Sequence, residues 1–230
     1  MVQNQREIRG PNPVFSPLQK QQSHDDLFNY LNIDPKFFGE FLVNDYIIDI
    51  RRIYKTARHL PLWKNIGSGL PGKLGEHLYG IVRTLKPALI VETGVAMGMS
   101  SAFFLAALLE NKTGQLISVD VVKDAGLLVN KDLYKHWIFC CAKSSAVLPR
   151  LNVNEIDIFC HDSLHTYENM LFEYEWAYPR LKDGGLLISH DANIKDSPFF
   201  DFAQDHNEEI YFIKSSNKGF SMGAIIKGKE

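Results

Sequence analysis

A chain of 230 residues with 45% hydrophobic and 23% charged residues has the size and make-up of one large globular domain. A formal net charge of −2 and a pI near 6.4, with no long basic block, exclude nucleic acid as the expected partner. No run reaches the roughly 18 apolar residues that a membrane span requires.

Residues 1 to about 24 are polar, carry Pro11, Pro13 and Pro17, and lack the apolar segment of a signal peptide; they are expected to form an extended arm. Over 27–54 apolar residues recur at helical spacing, and Phe41, Leu42, Tyr46, Ile47, Ile50 and Tyr54 are expected to share one stripe. A glycine-rich loop at 67–72 precedes a short helix over 76–85, closed by Pro87. Five short apolar runs follow, at 89–91, 116–119, 137–140, 156–160 and 186–188. Helix candidates near 100–109, 124–134, 144–151 and 166–178 lie between them. Strand alternating with helix implies parallel strands joined by right-handed crossovers, covered on both faces. The chain ends differently. Apolar runs at 210–213 and 220–226 flank Ser215-Ser216-Asn217-Lys218-Gly219, which predicts an antiparallel hairpin. Cys140, Cys141 and Cys160 all fall in strand-like runs without CxxC spacing. They read as buried small hydrophobes in a reducing compartment, so the expected location is cytoplasmic.

The richest stretch is Leu89-Ile90-Val91-Glu92-Thr93-Gly94-Val95-Ala96-Met97-Gly98-Met99-Ser100-Ser101. A strand runs into a loop with two glycines and then into an Ala/Leu-rich helix. Glycine lets a ligand approach the backbone, and the helix N-terminus offers free N–H groups. A dinucleotide fingerprint started at Gly94 fails, because Ala96 and Met99 stand where its later glycines belong. The template E-x-G-x-x-x-G fits without exception. A carboxylate at Glu92 suits the ammonium of an amino acid better than a pyrophosphate. This pattern resembles the first motif of class I S-adenosylmethionine-dependent methyltransferases. The resemblance implies that Glu92, Gly94, Gly98 and Ser100 bind the cofactor and that Asp120, ending the next strand, holds its ribose. Many relatives carry Gly-Asp-Ser after the third strand, with the Asp on the adenine amine. Here Ala142-Lys143-Ser144 stands there, and lysine cannot accept that bond, which leaves Ser144 or backbone groups to hold adenine.

Two more blocks, Asp162-Ser163-Leu164-His165-Thr166-Tyr167 and Gly184-Gly185 leading to His190-Asp191, resemble a bacterial subset of small-molecule O-methyltransferases. The likeness spans about residues 75–226. It implies a Rossmann-like α/β fold, a doubly wound, mostly parallel seven-stranded sheet with an antiparallel C-terminal hairpin. Ligands in such sheets bind beyond the carboxyl ends of the strands, so Asp162, His165, His190 and Asp191 are expected to converge there. In related metal-dependent enzymes carboxylates at these positions hold a divalent cation, which makes Asp162 and Asp191 the expected ligands, ahead of His190, and Mg2+ or manganese the expected ion. Without a metal, His165 or His190 is the expected general base, and Asp162 is expected near the cofactor as well. Residues 1–60 are expected to cover the substrate or make a homodimer contact, and 61–230 to form the catalytic domain. The expected partner is a small hydroxylated acceptor, a sugar or polyketide. The rivals are an NAD-dependent oxidoreductase on a similar sheet and an inactive paralogue.

Overall fold

The computed structural model describes residues 24–57, 72–192, 197–214 and 221–228. The arm at 1–23, the loop at 67–71 and the hairpin turn at 215–220 lie outside these residues. Strands β1 (Leu89–Thr93), β2 (Gln115–Asp120), β3 (Trp137–Cys141), β4 (Ile156–His161), β5 (Leu181–His190), β6 (Ile210–Lys214) and β7 (Ser221–Ile226) form one sheet in the order β3-β2-β1-β4-β5-β7-β6. β1 to β5 are parallel, and β7 inserts antiparallel between β5 and β6. The chain winds outward from β1 to β3 and then returns to place β4 on the other side of β1. This reversal opens a crevice at the carboxyl ends of β1 and β4, the usual ligand position of such sheets.

Helices α1 (His24–Leu31), α2 (Lys36–Val43), α3 (Asp45–Ala57), α4 (Gly72–Leu85) and α5 (Met99–Asn111) cover one face. Helices α6 (Ser144–Val147), α7 (Tyr167–Ala177) and α8 (Phe199–Asp205) belong with the other. Residues 99–108 of α5 are all buried. A helix apolar on all sides from Ala102 to Leu109 suits a central position, and α5 packs against β2 and against α3 and α4. Leu27, Phe41, Ile47 and Ile50 enter the same core as Phe103 and Leu105, so α1 to α3 are continuous with the sheet's packing.

The structure departs from the sequence reading in particular places. The stripe at 27–54 is three helices, interrupted where Asn32 takes φ +51 and where Asn44 turns extended. The Asn44 Oδ1 accepts from the Ile47 amide at 3.3 Å and so opens α3. Phe41, Ile47 and Ile50 are buried, while Leu42 stays exposed. The expected helix at 124–134 is a set of turns and a 3-10 helix, Lys131–His136. There the amides of Gly126 and Leu128 donate to the carbonyls of Ala96 and Met97, each at 2.9 Å. Donors committed to a neighbouring loop cannot build an i→i−4 ladder. Helix α8 carries no counterpart in the sequence reading. Of the three cysteines only Cys160 is buried; Cys141 ends the edge strand β3 and is exposed.

The loop after β1 is held from both sides. The Gly94 amide donates to Val119 O, and the Asp162 amide donates to Thr93 O, both at 2.8 Å. Gly94 sits at φ +84, and a Cβ there would lie 1.9 Å from the Asp162 carbonyl oxygen. The close neighbour that demands this glycine is the chain's own backbone. Gly94→Ala must therefore move the loop after β4 as well as adopt a disfavoured φ, and is expected to cost at least about 3 kcal/mol. Urea denaturation measures this, and a loss under about 1 kcal/mol would contradict the packing described.

Candidate active site

Each strand end at the crevice delivers a titratable group. Glu92, near the end of β1, is completely buried. Its Oε1 accepts from Ser100 Oγ at 2.5 Å, and its Oε2 accepts from Ser101 Oγ at 2.6 Å and Ser118 Oγ at 2.8 Å. The Glu92 carboxylate, the expected partner of an ammonium group, is held in this clamp, which ties β1 and β2 to the first turn of α5. The Ser100 hydroxyl is committed to it too. Burial pushes the Glu92 carboxyl up to about 7, with the three hydroxyls working against the shift and the Asp162 charge adding to it.

Asp120, at the end of β2, holds the glycine loop. Its Oδ2 accepts from the Val95 and Ala96 amides at 2.8 and 2.9 Å, and its Oδ1 accepts from the Val122 amide at 2.8 Å. Gly98 precedes α5 at φ +90, where a Cβ would meet Gly126 Cα and Val129 Cγ2 at 2.8 Å each. Lys143 is exposed, and the Ser144 hydroxyl lies 3.5 Å from Asn169 Oδ1 on α7.

Beyond β4 and β5 the expected four residues meet. His190 Nδ1 lies 3.0 Å from Asp162 Oδ1, and His165 Nε2 lies 3.6 Å from the same oxygen. Asp191 faces both rings, with Oδ2 3.6 Å from His165 Nδ1 and Oδ1 3.5 Å from His190 Nδ1. Asp191 takes φ +53, a conformation rare outside glycine, which turns its carboxylate back toward the rings. Burial raises the Asp162 carboxyl, but the imidazoles of His165 and His190 close beside it outweigh that and hold the carboxyl below its ordinary value. Burial lowers His190, yet Asp162 and Asp191 lift it above the usual imidazole value. The 3.0 Å approach is an ion-pair contact and not an aligned hydrogen bond. Nδ1 of His190 and Nε2 of His165 are both buried without a hydrogen-bond partner.

A second buried network went unseen in the sequence. Glu173 of α7 is completely buried. Its Oε2 accepts from Thr93 Oγ1 at 2.5 Å and from His161 Nδ1 at 2.6 Å. Its Oε1 accepts from Ser163 Oγ at 2.8 Å and Asn169 Nδ2 at 3.1 Å. Burial works to raise this carboxyl, and the bonds from His161 and the hydroxyls bring it below the ordinary value. The signal was available. Met170, Glu173, Tyr174 and Ala177 occupy one buried helical face, and a carboxylate among such positions needs a partner.

Residues 91–192 match the family model described as "Methyltransferase domain". Those residues are similar to a methyltransferase domain. That segment starts in β1, just before the glycine loop, and ends just after Asp191, so it encloses every residue of the crevice described above. Solved structures share the fold. An O-methyltransferase from Bacillus cereus, in complex with SAH, is 14% identical over 89% of this chain and 96% of its own, with a TM-score of 0.61. The O-methyltransferase TomG from Streptomyces achromogenes, involved in tomaymycin synthesis and solved with SAM, is 14% identical over 93% and 100%, with a TM-score of 0.62. A putative O-methyltransferase from Klebsiella pneumoniae is 14% identical over 92% and 100%, with a TM-score of 0.59. No curated protein sequence matches the chain. Among the described residues, no helix is long and apolar enough to cross a membrane.

The buried acid Glu92 carries a pH signature. Glu92 binds its proton up to about pH 7 in the fold but only to about 4.5 when exposed. The folded state therefore holds more protons between these values, and stability falls as pH rises through that window. Glu92→Gln removes the titration. The wild type is expected to lose on the order of 3 kcal/mol relative to Glu92→Gln between pH 4.5 and 7. Urea titrations of both proteins across this range supply the comparison, and parallel stability curves would show that Glu92 ionises normally.

Proposed function

We propose that the chain transfers a methyl group from S-adenosylmethionine to an oxygen of a small hydroxylated molecule, with sugars and polyketides as the acceptor classes. One observation carries the reading. The glycine loop tied to Asp120 and the Asp162–His165–His190 group stand side by side at the switch point of the sheet, because Gly94 lies against the Asp162 backbone. A cofactor seated on the first places its reactive end toward the second. The bound forms of the Bacillus and Streptomyces proteins support the same cofactor here.

The residues divide the work. An ionised carboxylate has about four acceptor positions. Backbone amides take three at Asp120, leaving one for a ribose hydroxyl. Glu92 acts from behind, fixing the first turn of α5 through Ser100 and Ser101. Ser144 and Asn169 offer polar groups for the adenine edge, a role Lys143 cannot fill. Leu164 and Tyr167, both exposed on the rim between β4 and α7, offer apolar surface to an acceptor.

S-adenosylmethionine supplies an electrophilic methyl carbon whose bond to sulfur breaks as the bond to the acceptor oxygen forms. The hydroxyl proton leaves to His165 or to solvent. Alignment is the main contribution of the protein, since holding two reactants in near-attack geometry supplies roughly 7–11 kcal/mol. A divalent cation bound beside Asp162 would add Lewis acidity and ease loss of the hydroxyl proton. The imidazole nitrogens close to Asp162 that lack a hydrogen-bond partner are the structural feature that fits such an ion.

Isothermal titration is expected to show binding of S-adenosylmethionine and none of NAD. Asp120→Ala removes the ribose contact and loosens the loop, so it should weaken that binding by at least about tenfold. Methyl-labelled cofactor and a panel of hydroxylated acceptors should give label on oxygen. His165→Ala should slow turnover by about a hundredfold or more with little change in cofactor affinity. Binding of NAD in place of S-adenosylmethionine would overturn the cofactor assignment. Cofactor binding without transfer to any acceptor would overturn the catalytic one.

A further inference from the structure

We propose that Asp162, His165 and His190 form a divalent-metal site with two nitrogen donors, which selects a borderline transition ion such as Zn2+, Co2+ or Fe2+ over Mg2+. Asp191 is then a positioning residue that orients His165. The inference rests on the reading that this strand-end group faces the methyl acceptor.

Among the described residues, these three offer ligand atoms that all lie within 4.8 Å of one another. Asp191, a carboxylate at the end of the same strand, stands outside that set. The separations suit a common ion. Donors bonded to zinc at about 2.0–2.1 Å in a tetrahedral arrangement stand about 3.3–3.4 Å apart. The two imidazole nitrogens lie 3.0 and 3.6 Å from Asp162 Oδ1, on either side of that value.

An ordinary ion-pair network is the competing account. It would align each N–H on an oxygen, since aligned bonds are what compensate for burying charge. Here the two nitrogens that approach Asp162 are buried at ion-pair distance and make no aligned hydrogen bond. Ring nitrogens without a hydrogen-bond partner that stand this close to a carboxylate can complete their bonding through a shared cation. The outer contacts agree. Asp191 Oδ2 lies 3.6 Å from the opposite ring nitrogen of His165, a small movement short of the hydrogen bond by which a carboxylate orients a metal-bound histidine.

The donor chemistry sets the ion. Carboxylate and water ligands suit magnesium, whereas imidazole suits zinc, iron and nickel, and affinities rise along the series toward copper. Two imidazoles and one carboxylate leave positions open for an acceptor oxygen. A metal-bound His165 has no lone pair left to act as a free base.

The test uses the full chain, stripped of metal and titrated with Co2+ while its visible absorption is recorded. One equivalent is expected to bind with ligand-field bands. Zn2+ should displace it, and millimolar Mg2+ should not. His165→Ala and His190→Ala should each weaken Co2+ binding by at least tenfold. Asp191→Asn should weaken it by about 10- to 100-fold, shift the spectrum and leave thermal stability unchanged. Absence of a stoichiometric ion, displacement by Mg2+, or Co2+ bands unaltered in both histidine variants would each overturn the site. Cofactor titration of the same samples separates the two readings. Cofactor bound without Co2+ defeats the metal site alone. Co2+ bound without cofactor defeats the methyl-transfer reading alone.

Discussion

The close contact between Gly94 and the Asp162 backbone is the constraint on which the rest of the site depends. Two loops that leave neighbouring strands can share one crevice only if neither carries a side chain at the crossing. The missing Cβ lets the Asp162 carbonyl occupy that space. Hydrogen bonds from Gly94 to β2 and from Asp162 to β1 then lock both loops to the sheet. Everything with chemistry follows in sequence from these fixed points. Asp120 reaches back to the amides at 95 and 96, and Asp162 presents its carboxylate to the rings at 165 and 190.

Three acidic groups lie in or near the interior, and they differ in how their needs are met. Glu92 has three hydroxyl donors, and Glu173 has an imidazole, two hydroxyls and an amide. Buried carboxylates so fully bonded rigidify the strand ends around them. Asp162 has two imidazole nitrogens within reach and an aligned bond from neither. Satisfied networks hold the fold, and the unsatisfied group lies where an external ligand would complete it.

Much of the fold was legible in the sequence because parallel strands covered on both faces must be apolar throughout. The runs at 89–91, 116–119 and 156–160 each fall inside an observed strand. The terminal hairpin was legible from two apolar runs without a helix between them. Failures occurred where tertiary hydrogen bonds decide the local conformation. The segment at 124–134 has helical spacing, yet its amides bond to Ala96 and Met97. The stripe at 27–54 breaks at Asn32 and Asn44, whose side chains and backbone favour turns and caps. In the site, strand-end position brought out Asp120, Asp162, His165, His190 and Asp191. The partners of Glu92 and the whole Glu173 network required knowledge of which helix face meets the sheet.

A crystal structure of the full chain with S-adenosylhomocysteine tests the central claim most directly. The account predicts its ribose on Asp120, its amino acid end at the loop held by Gly94 and Gly98, and its sulfur facing the Asp162–His165–His190 group. A ligand bound away from the carboxyl ends of β1 and β2, or with its sulfur turned from that group, would contradict it.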